Sequence, residues 1–430
     1  MNKPFNIAIA GLGTVGGGTL KIIQENAALL EERCGRKINV VAVLERDRNK
    51  NLGSGAASIK WAESPQALAN MPEVDLIVEL IGGSEGVARA LVEAALTAGK
   101  HVVTANKALI AHHGMALAAL AEKAGKILAY EAAVAGGIPI IKALRQGLIA
   151  NHFHAITGIL NGTCNFILTS MWNTRKDFAE ALADAQRIGY AEADPTFDID
   201  GIDTAHKLAI LTSLAYGCPL AIDAVYVEGI RHITITDMEF ADQLGFAIKL
   251  LGISTRTQDG ILARVHPAMV AKSSSIGRVS DAYNGIIVEG SSVGRITLEG
   301  RGAGEGPTAS SVVADIADIA GGAAYKPFTI SVDRLKALPL AAMESLKTSY
   351  YIRLGVVDKP GVLAAITSIF LNEGISVGSF LQNSHRPGET VQVVITTHET
   401  LELSMRNALK SIAVLDSVIE PPHMIRIEKL

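Results

Sequence analysis

Residues 7–18, IAIAGLGTVGGG, constrain the fold of this 430-residue chain more than any other segment. An apolar strand-like run ends at Gly11, and Gly13 and Gly16 complete a GxGxxG pattern where a helical run begins. In this context the first glycine allows a tight turn, the second lets a pyrophosphate approach the backbone, and the third allows close helix–strand packing. Free N–H groups at the helix N-terminus add an anion site. The segment therefore predicts a dinucleotide-binding loop.

The first third of the chain alternates continuous apolar runs with amphipathic helical runs. After the glycine-rich loop, apolar runs occur at 39–45, 74–82, 101–106 and 126–132. Apolar strands separated by such helices indicate a parallel sheet covered on both faces. With 49% hydrophobic and 19% charged residues, the chain has enough apolar material for such a core. We predict an α/β nucleotide-binding domain.

Charge and cysteine content exclude several classes of protein. A formal net charge of −4 gives no reason to expect nucleic acid or an anionic membrane as partner. The three cysteines are few, odd in number and widely spaced, which indicates neither a disulfide framework nor a CxxC metal site and fits a reducing cytoplasm. No apolar stretch approaches the roughly 20 residues that span a bilayer. We expect a cytoplasmic protein without a nucleic-acid or membrane partner.

The regular alternation of predicted strands and helices ends after residue 140. Segments LARVHPAMV, NGIIVEG and GRITLEG predict strands of an antiparallel or mixed sheet, and 304–322 predicts a helix with Pro307 near its start. Residues 323–348 look like a connection. The last 80 residues follow a βαββαβ pattern with a turn at Arg386-Pro387-Gly388, and we expect them to fold as an independent unit.

The end of the second strand, LERDRNK, bears on the choice between NAD and NADP. Glu45 suits a ribose 2′-hydroxyl, whereas Arg46 and Arg48 suit a 2′-phosphate. Three basic residues within five positions, completed by Lys50, favour NADP, with NAD as the alternative.

Two segments carry candidate reacting groups. Lys107 in VVTANKALI follows a strand at the carboxyl edge of the predicted sheet, where ligands bind. In GILNGTCNFIL, Asn161 and Thr163 either hold a nicotinamide carboxamide or substrate, or cap a helix. Cys164 is either a thiohemiacetal-forming nucleophile or, as we favour, a buried structural thiol.

The acidic stretch GYAEADPTFDIDGIDTAHKLA, residues 189–209, leads directly into an apolar helix. We expect Gly189 to end the preceding helix, residues 190–197 to form a loop, and Asp200 to cap the next helix. Asp203 and Lys207 are four residues apart and therefore share one helix face. Calcium-type spacing is absent and Lys207 opposes a cation. A zwitterion-binding cluster beside a proton-transferring lysine remains.

Taken together, six motifs resemble homoserine dehydrogenase. They are GLGTVG, TANK, YEAAVAGGIPII, GILNGTCNFILT, GYAEADPTFDIDGIDTAHKLAIL and GRGAGEGPTASSVVADI, which occur in order between residue 6 and about 340. The tail, with DKPGVLAAITSIFLNEGIS, resembles an ACT regulatory domain. The resemblance implies NAD(P)-dependent interconversion of L-aspartate 4-semialdehyde and L-homoserine in threonine and methionine biosynthesis. It also implies threonine regulation through the ACT domain and a homodimer or homotetramer.

The resemblance further implies an α/β chain of three domains. Residues 1–135 would form a Rossmann-like NAD(P)-binding domain, to which a helical segment near 307–340 returns. Residues 136–306 would form an α+β catalytic and dimerisation domain. Residues 349–430 would form a ferredoxin-like ACT domain, and we expect its effector loop at LNEGIS, 371–376.

Site residues follow by motif from the same resemblance. Lys207 is the expected proton donor and Lys107 a second catalytic lysine. Substrate would be bound by Glu192, Asp198, Asp203, Asn161 and Thr163. Carbonyls of Glu131, Val134, Gly136 and Ile138 would bind a monovalent cation, usually sodium. The expected cofactor contacts are Gly11, Leu12, Gly13, Thr14, Val15, Gly16, Arg46, Arg48, Gly82, Thr104, Lys107, Gly302 and Gly304.

The expected mechanism fixes what the lysines must do. Lys207 would give a proton to the alkoxide that forms at the aldehyde carbon, while Lys107 stabilises its charge. Burial and a neighbouring lysine would lower the pKa of Lys207, so we expect Asp203 to serve mainly the substrate rather than the lysine. Two other readings stay open: an aspartate-semialdehyde dehydrogenase-like enzyme that uses Cys164, and a non-catalytic amino-acid sensor.

Overall fold

The structure is a computed structural model that describes residues 3–53, 56–382 and 388–430. Residues Arg386 and Pro387 of the predicted turn lie outside the described residues. The remaining predicted elements are all within them, and the chain builds two sheets joined by helices.

The first sheet is entirely parallel, as predicted, with strand order β3-β2-β1-β4-β5-β6. The helix that contains Lys107 begins at that residue. The elements of this half are β1 (Phe5–Ala10), α1 (Thr14–Glu25), α2 (Ala27–Cys34), β2 (Ile38–Leu44), β3 (Lys60–Trp61), α3 (Pro65–Ala69), β4 (Leu76–Glu79), α4 (Val87–Thr97), β5 (His101–Thr104), α5 (Lys107–Ala124) and β6 (Leu128–Ala129).

Both faces of this sheet are buried. Along β1, Ile7 and Ile9 enter one apolar cluster while Ala8 and Ala10 enter another, because successive side chains of a strand point to opposite faces.

The second sheet follows, together with the helices that cover it. Its elements are α6 (Ile140–Lys142), β7 (Phe153–Ile159), α7 (Gly162–Thr174), α8 (Phe178–Arg187), α9 (Thr196–Ile199), α10 (Ile202–Tyr216), β8 (Tyr226–Val227), α11 (Ile235–Gln243), β9 (Phe246–Arg256), β10 (Ile261–Ala271), β11 (Tyr283–Gly290) and β12 (Gly294–Arg301).

The helix α12 (Glu305–Ala320) returns to the first sheet, as predicted. Its Val312 and Ile316 share an apolar cluster with Ile7 and Ile9 of β1, so it covers the same face as α1. The helical part ends at Ala320, and the predicted connection over 323–348 contains short 3-10 turns and isolated bridges until the next strand begins at Lys347.

The C-terminal segment has the predicted βαββαβ order but is not a detached unit. Its strand β17 pairs in parallel with β10, so the catalytic strands and the C-terminal strands form one continuous sheet, in the order β12-β11-β7-β9-β10-β17-β13-β15-β14. The segment has an apolar core of its own, so the expectation of independent folding stays a prediction. The elements are β13 (Lys347–Val357), α13 (Val362–Asn372), β14 (Val377–Gln382), β15 (Thr390–Thr397), β16 (Thr400–Leu401), α14 (Glu402–Ala413) and β17 (His423–Glu428).

Buried ion pairs reinforce the seam between β10 and the C-terminal strands. Arg264 of β10 donates to Glu428 of β17 at 2.9 and 3.1 Å. Asp237 of α11 accepts from Arg353 of β13 at 2.7 Å and from the Tyr351 hydroxyl at 3.1 Å. These contacts tie the C-terminal domain to the catalytic sheet.

Candidate active site

The glycine-rich loop has the geometry that the sequence predicts. Gly11 has a φ of +89°, in the left-handed region that glycine tolerates. A Cβ on Gly16 would lie 1.9 Å from the Gly11 carbonyl oxygen, so only glycine fits where α1 meets the loop. Gly13 precedes α1, and nothing lies within 4 Å of a Cβ built there. The helix end is thus open to a ligand.

A groove of about 580 Å³ runs from this loop to the end of β2. Its lining includes Gly11, Gly13, Glu45, Arg46 and Arg48. The Glu45 carboxylate accepts the backbone N–H groups of Leu12 at 2.7 Å and Arg46 at 2.7 Å. These bonds, that of Leu12 first, lower the pKa of Glu45. The groove therefore offers one anchored carboxylate and two guanidinium groups at the predicted ribose position.

A buried polar network shapes the next loop along the same sheet edge. Glu79, at the end of β4, is fully buried and accepts the Thr104 hydroxyl at 2.6 Å and the Ile81 and Gly82 N–H groups at 2.8 and 3.2 Å. Thr104 thus supports this loop through its side chain. Sequence reasoning did not select Glu79, although a carboxylate that ends the apolar run VDLIVEL was a usable signal.

Lys107 and Lys207 converge on one carboxylate. Lys107 Nζ lies 2.8 Å from Asp203 Oδ1, and Lys207 Nζ lies 2.7 Å from Asp203 Oδ2. Lys107 begins α5 at the sheet edge, and the other two residues share one face of α10, as their spacing predicts. The expectation that Asp203 is left mainly for substrate is wrong, because both of its oxygens engage lysines.

Burial and charge shift the pKa values of the three groups in different directions. Burial of Asp203 opposes ionisation, but Lys207 and Lys107 outweigh it and lower its pKa. Burial lowers the pKa of Lys207, and Asp203 only partly offsets it. For Lys107, which is more exposed, the attraction of Asp203 outweighs burial and raises the pKa. The direction expected for Lys207 is therefore found, and the two lysines are inequivalent.

Asn161 joins this cluster to Asp198. Its side-chain oxygen accepts the Cys164 N–H at 2.8 Å, so it caps α7, and its amide donates to Asp198 Oδ1 and Asp203 Oδ2 at 2.8 Å each. The structure thus shows the capping role, while the binding of a nicotinamide or substrate by Asn161 stays a prediction. Burial, followed by the Asp203 charge, raises the pKa of Asp198.

The rest of the acidic stretch lies beside the lysines, and Phe197 and Asp198 of this stretch are called the wall below. The predicted loop already turns helical at Thr196, where α9 begins. Phe197 lies with its ring centroid 5.6 Å from Lys107 Nζ and packs edge-on against His206 at 5.2 Å. Glu192 is exposed. Thr163 does not cap α7, since its hydroxyl donates to the Tyr190 carbonyl at 2.9 Å.

The predicted cap residue Asp200 has a different role. The helix α10 is preceded by Gly201 and has no side-chain cap, while the Asp200 carboxylate pairs with Arg231. Gly189 ends the preceding helix in a left-handed conformation, as predicted, with a φ of +81°. The sequence alone does not show whether the Asp200 carboxylate caps a helix or pairs with Arg231, because the two residues are 31 positions apart.

The Leu160 carbonyl completes the surroundings of Lys207, because it accepts from Nζ at 2.7 Å. No sequence signal identifies a backbone acceptor of this kind.

Cys164 is fully buried, and its thiol donates to the Asp198 carbonyl at 3.2 Å. Burial, followed by the nearby carboxylates, raises the pKa of this thiol well above the usual value. These properties match the structural thiol that we favoured.

The segment 131–138 lies behind the nucleotide loop. Glu131, Val134, Gly136 and Ile138 are all buried, and the Gly136 carbonyl accepts the Ser311 hydroxyl of α12 at 2.7 Å. Peptide carbonyls are hard oxygen ligands, so the segment fits a hard cation. Within the described ranges, no group of three or more His, Cys, Asp or Glu side chains is arranged to bind a metal ion.

Gly302 lies close to this segment, and Gly304 precedes the helix that packs against α1. A Cβ on Gly136 would meet the Gly302 carbonyl at 2.4 Å, and Gly304 immediately precedes α12.

Across the part of the chain that the structure describes, no helix is both long and apolar enough to cross a bilayer.

The parallel sheet with its open glycine loop, next to a buried lysine–carboxylate cluster, defines a dinucleotide-dependent oxidoreductase with an appended α/β domain. Three family models match in order: the homoserine dehydrogenase NAD-binding domain over 11–131, homoserine dehydrogenase over 139–317 and the ACT domain over 350–414. The chain belongs to the homoserine dehydrogenase family.

Similar proteins agree over the whole length. Homoserine dehydrogenase of Pseudomonas aeruginosa is 43% identical over all of both chains, and that of Neisseria gonorrhoeae is 42% identical over all of this chain and 99% of the relative. The crystal structure of a homoserine dehydrogenase from Thiobacillus denitrificans matches with a TM-score of 0.93 and 44% identity, over 99% of this chain and 98% of that chain. A hyperthermophilic archaeal homoserine dehydrogenase in complex with NADPH matches 74% of this chain and 97% of its own, with a TM-score of 0.63 and 28% identity.

Proposed function

We propose that this chain interconverts L-aspartate 4-semialdehyde and L-homoserine with Lys207 as the proton donor. The observation that carries the assignment is the shared carboxylate: a buried Lys207 and a half-exposed Lys107 each lie within 2.8 Å of Asp203. Membership of the homoserine dehydrogenase family supports the reaction, and the geometry supports the roles.

The cofactor contacts are proposed from the glycine loop and the sheet edge. Gly11, Leu12, Gly13, Thr14, Val15 and Gly16 would hold the pyrophosphate, with Gly82 and Thr104 at the adjacent loop. A bound nicotinamide supplies the hydride. We propose NADP as the preferred form, with NAD as the alternative, because Arg46 and Arg48 line the groove where a 2′-phosphate would lie.

Lys207 suits proton transfer because its charge is only partly compensated. Its Nζ is held by the Asp203 carboxylate and the Leu160 carbonyl, which fixes its position. Burial lowers its pKa, so it gives up a proton more readily than an exposed lysine. A positioned general acid contributes about 10²- to 10⁴-fold to a rate.

Lys107 has the complementary property. Asp203 keeps its pKa high, so it remains a cation and can stabilise the negative charge that develops on the aldehyde oxygen. The difference between the two lysines supports Lys207 as the proton donor and Lys107 as the fixed charge.

The substrate's own charges explain the acidic residues. An amino acid carries an ammonium group, and Glu192 and Asp198 provide carboxylates near the lysines, with Asn161 and Thr163 beside them. Asp203 contributes mainly by holding the lysines. The carbonyls of Glu131, Val134, Gly136 and Ile138 are proposed to bind sodium, which would brace the segment between the two sheets.

The ACT domain is proposed to bind threonine as effector through 371–376. The exposed Leu371 and Asn372 at the end of α13 make this loop accessible. The chain is further proposed to act as a homodimer or homotetramer, which light scattering would measure.

The test is oxidation of NADPH and of NADH with aspartate semialdehyde, with and without threonine. Turnover supports the dehydrogenase. Binding of threonine without turnover would instead indicate a sensor, and phosphate-dependent NADP reduction by the semialdehyde would indicate the Cys164-based enzyme. Inhibition that persists unchanged in Asn372→Ala and Glu373→Ala variants would reject the proposed effector loop.

A further inference from the structure

The helix α9 is a single turn, yet it carries two residues of the proposed substrate wall, Phe197 and Asp198. So short a helix has little stability of its own. Its position must therefore come from neighbouring segments. The segment Glu228–Arg231, which lies between β8 and α11, contacts it directly.

Four hydrogen bonds join this segment to α9 and to Asp200, the residue that follows it. The Ile230 N–H donates to the Ile199 carbonyl at 2.8 Å. Arg231 donates through Nη2 to Asp200 Oδ2 at 3.1 Å and to the Thr196 hydroxyl at 3.2 Å, and its Nε also pairs with Asp200. The bonds thus hold both ends of the turn that presents Asp198.

Gly229 shows how closely the two segments pack. A Cβ at this position would lie 2.3 Å from the Ile199 carbonyl oxygen and 2.5 Å from the Asp200 Cα. Both are backbone atoms, so a side chain here would have to move α9 rather than rotate a neighbour aside. The segment therefore acts as a template for the turn.

The other end of the segment is held by the C-terminal domain. The Glu228 N–H donates to the Val265 carbonyl of β10 at 2.7 Å, and its carboxylate accepts from Arg426 of β17 at 2.6 and 3.1 Å. Arg426 is only 1% exposed and also pairs with the buried Glu402 of α14. The C-terminal domain is thus tied to a point three residues from Arg231.

We propose that Glu228–Arg231 is a positioning segment for the substrate wall, held in register by Arg426 of the ACT domain, so that the ACT domain is part of the scaffold of the active site. Gly229 and Arg231 are positioning residues, since they act through α9 and not on substrate. The inference rests on the proposed function for its kinetic consequence, but its structural consequence does not depend on turnover.

The kinetic test compares Arg231→Ala with Arg231→Lys. Loss of Arg231 releases Asp198 and Phe197, so KM for aspartate semialdehyde should rise about tenfold with little change in kcat or in KM for the nucleotide. In Arg231→Lys the rise in KM should be smaller, because the lysine keeps one charged donor near Asp200. The control is Arg295→Ala, which removes a comparable ion pair between Arg295 of β12 and Glu289 of β11. Equal effects in Arg231→Ala and the control would overturn the proposal.

The structural test uses hydrogen exchange on the full-length chain and the variant Glu228→Gln, which keeps the shape of the side chain but removes its charge. Amides of residues 197–201 should exchange several-fold faster in the variant, while those of β1 should not change. Unchanged exchange at 197–201 would overturn the proposal even if the enzyme turns over. A wild-type chain without turnover, but with the expected exchange pattern, would reject the proposed function alone.

The two tests are joined by a double-variant comparison. If Glu228 and Arg231 act on α9 through one rigid segment, the KM effects of Glu228→Gln and Arg231→Ala will not multiply in the double variant, because coupled residues are non-additive. Simple multiplication of the two effects would show independent roles and would remove the proposed link to the ACT domain.

Discussion

Lys207 and Asp203 form a buried ion pair 2.7 Å long across one turn of α10, and Lys107 binds the second oxygen of the same carboxylate at 2.8 Å. The two lysines differ in burial, since Lys207 is the more deeply buried. Burial therefore lowers the pKa of Lys207, whereas the nearby carboxylates raise that of Lys107 despite its partial burial.

Replacing Lys207 by alanine should reduce kcat by about 10²- to 10⁴-fold, because the alkoxide then lacks its positioned proton donor. The fold should persist, since α10 has extensive apolar packing through Leu208 and Leu211. Turnover and circular dichroism measure the two outcomes. Near-normal turnover in Lys207→Ala would reject the assignment of the donor.

Replacing Asp203 by asparagine should shift the pH profile of aldehyde reduction. Asp203 raises the pKa of both lysines, so its loss lowers them. Reduction needs protonated Lys207, and that form is present below its pKa and is lost as the pH rises through it. The basic limb of the kcat profile should therefore move to lower pH. The exposed Asp223→Asn is the matched control and should leave the limb in place.

Replacing Cys164 by alanine should leave kcat within a few-fold of the wild-type value. The thiol is buried, its pKa is raised, and its hydrogen bond goes to a backbone carbonyl. The expected effect is on stability, about 1 kcal/mol in the free energy of unfolding, as for a typical core substitution. Steady-state kinetics and thermal unfolding separate the two. A loss of kcat as large as that in Lys207→Ala would revive a thiol mechanism.

Replacing Arg46 and Arg48 together by alanine should raise KM for NADPH by at least about tenfold and leave KM for NADH nearly unchanged, because each charge-assisted phosphate contact contributes about 1.5–3 kcal/mol. Glu45 is held by backbone N–H groups and stays in place. Initial rates with both nucleotides give the comparison. Parallel changes for NADPH and NADH would show that these arginines do not read the 2′-phosphate.

Truncation before Lys347 should lower the melting temperature and not merely remove regulation. The cut would take β17 from β10 and leave Arg264, only 3% exposed, without Glu428. The strand β10 also loses its backbone hydrogen bonds to β17, each worth about 0.5–1.5 kcal/mol. Differential scanning calorimetry would detect the lower melting temperature. A truncated chain with the wild-type melting temperature would show that the two domains are energetically independent.

Local sequence patterns determined much of this protein. The strand–glycine–helix order specified the nucleotide loop, because the steric need for glycine at Gly16 is local. The four-residue spacing of Asp203 and Lys207 determined that they share a face. The βαββαβ order of the tail and the returning helix were likewise visible, since apolar periodicity reflects which face of an element is buried.

Only the tertiary structure decided which distant groups meet. Lys107 reaches Asp203 across 96 positions of sequence, Asp200 pairs with Arg231 instead of capping α10, and β17 joins β10 so that the tail is continuous with the catalytic sheet. A charged side chain has the same local pattern whether it caps, pairs or binds a ligand. Its role is fixed by the buried surroundings that bring it a partner, and those surroundings exist only once the sheets have packed.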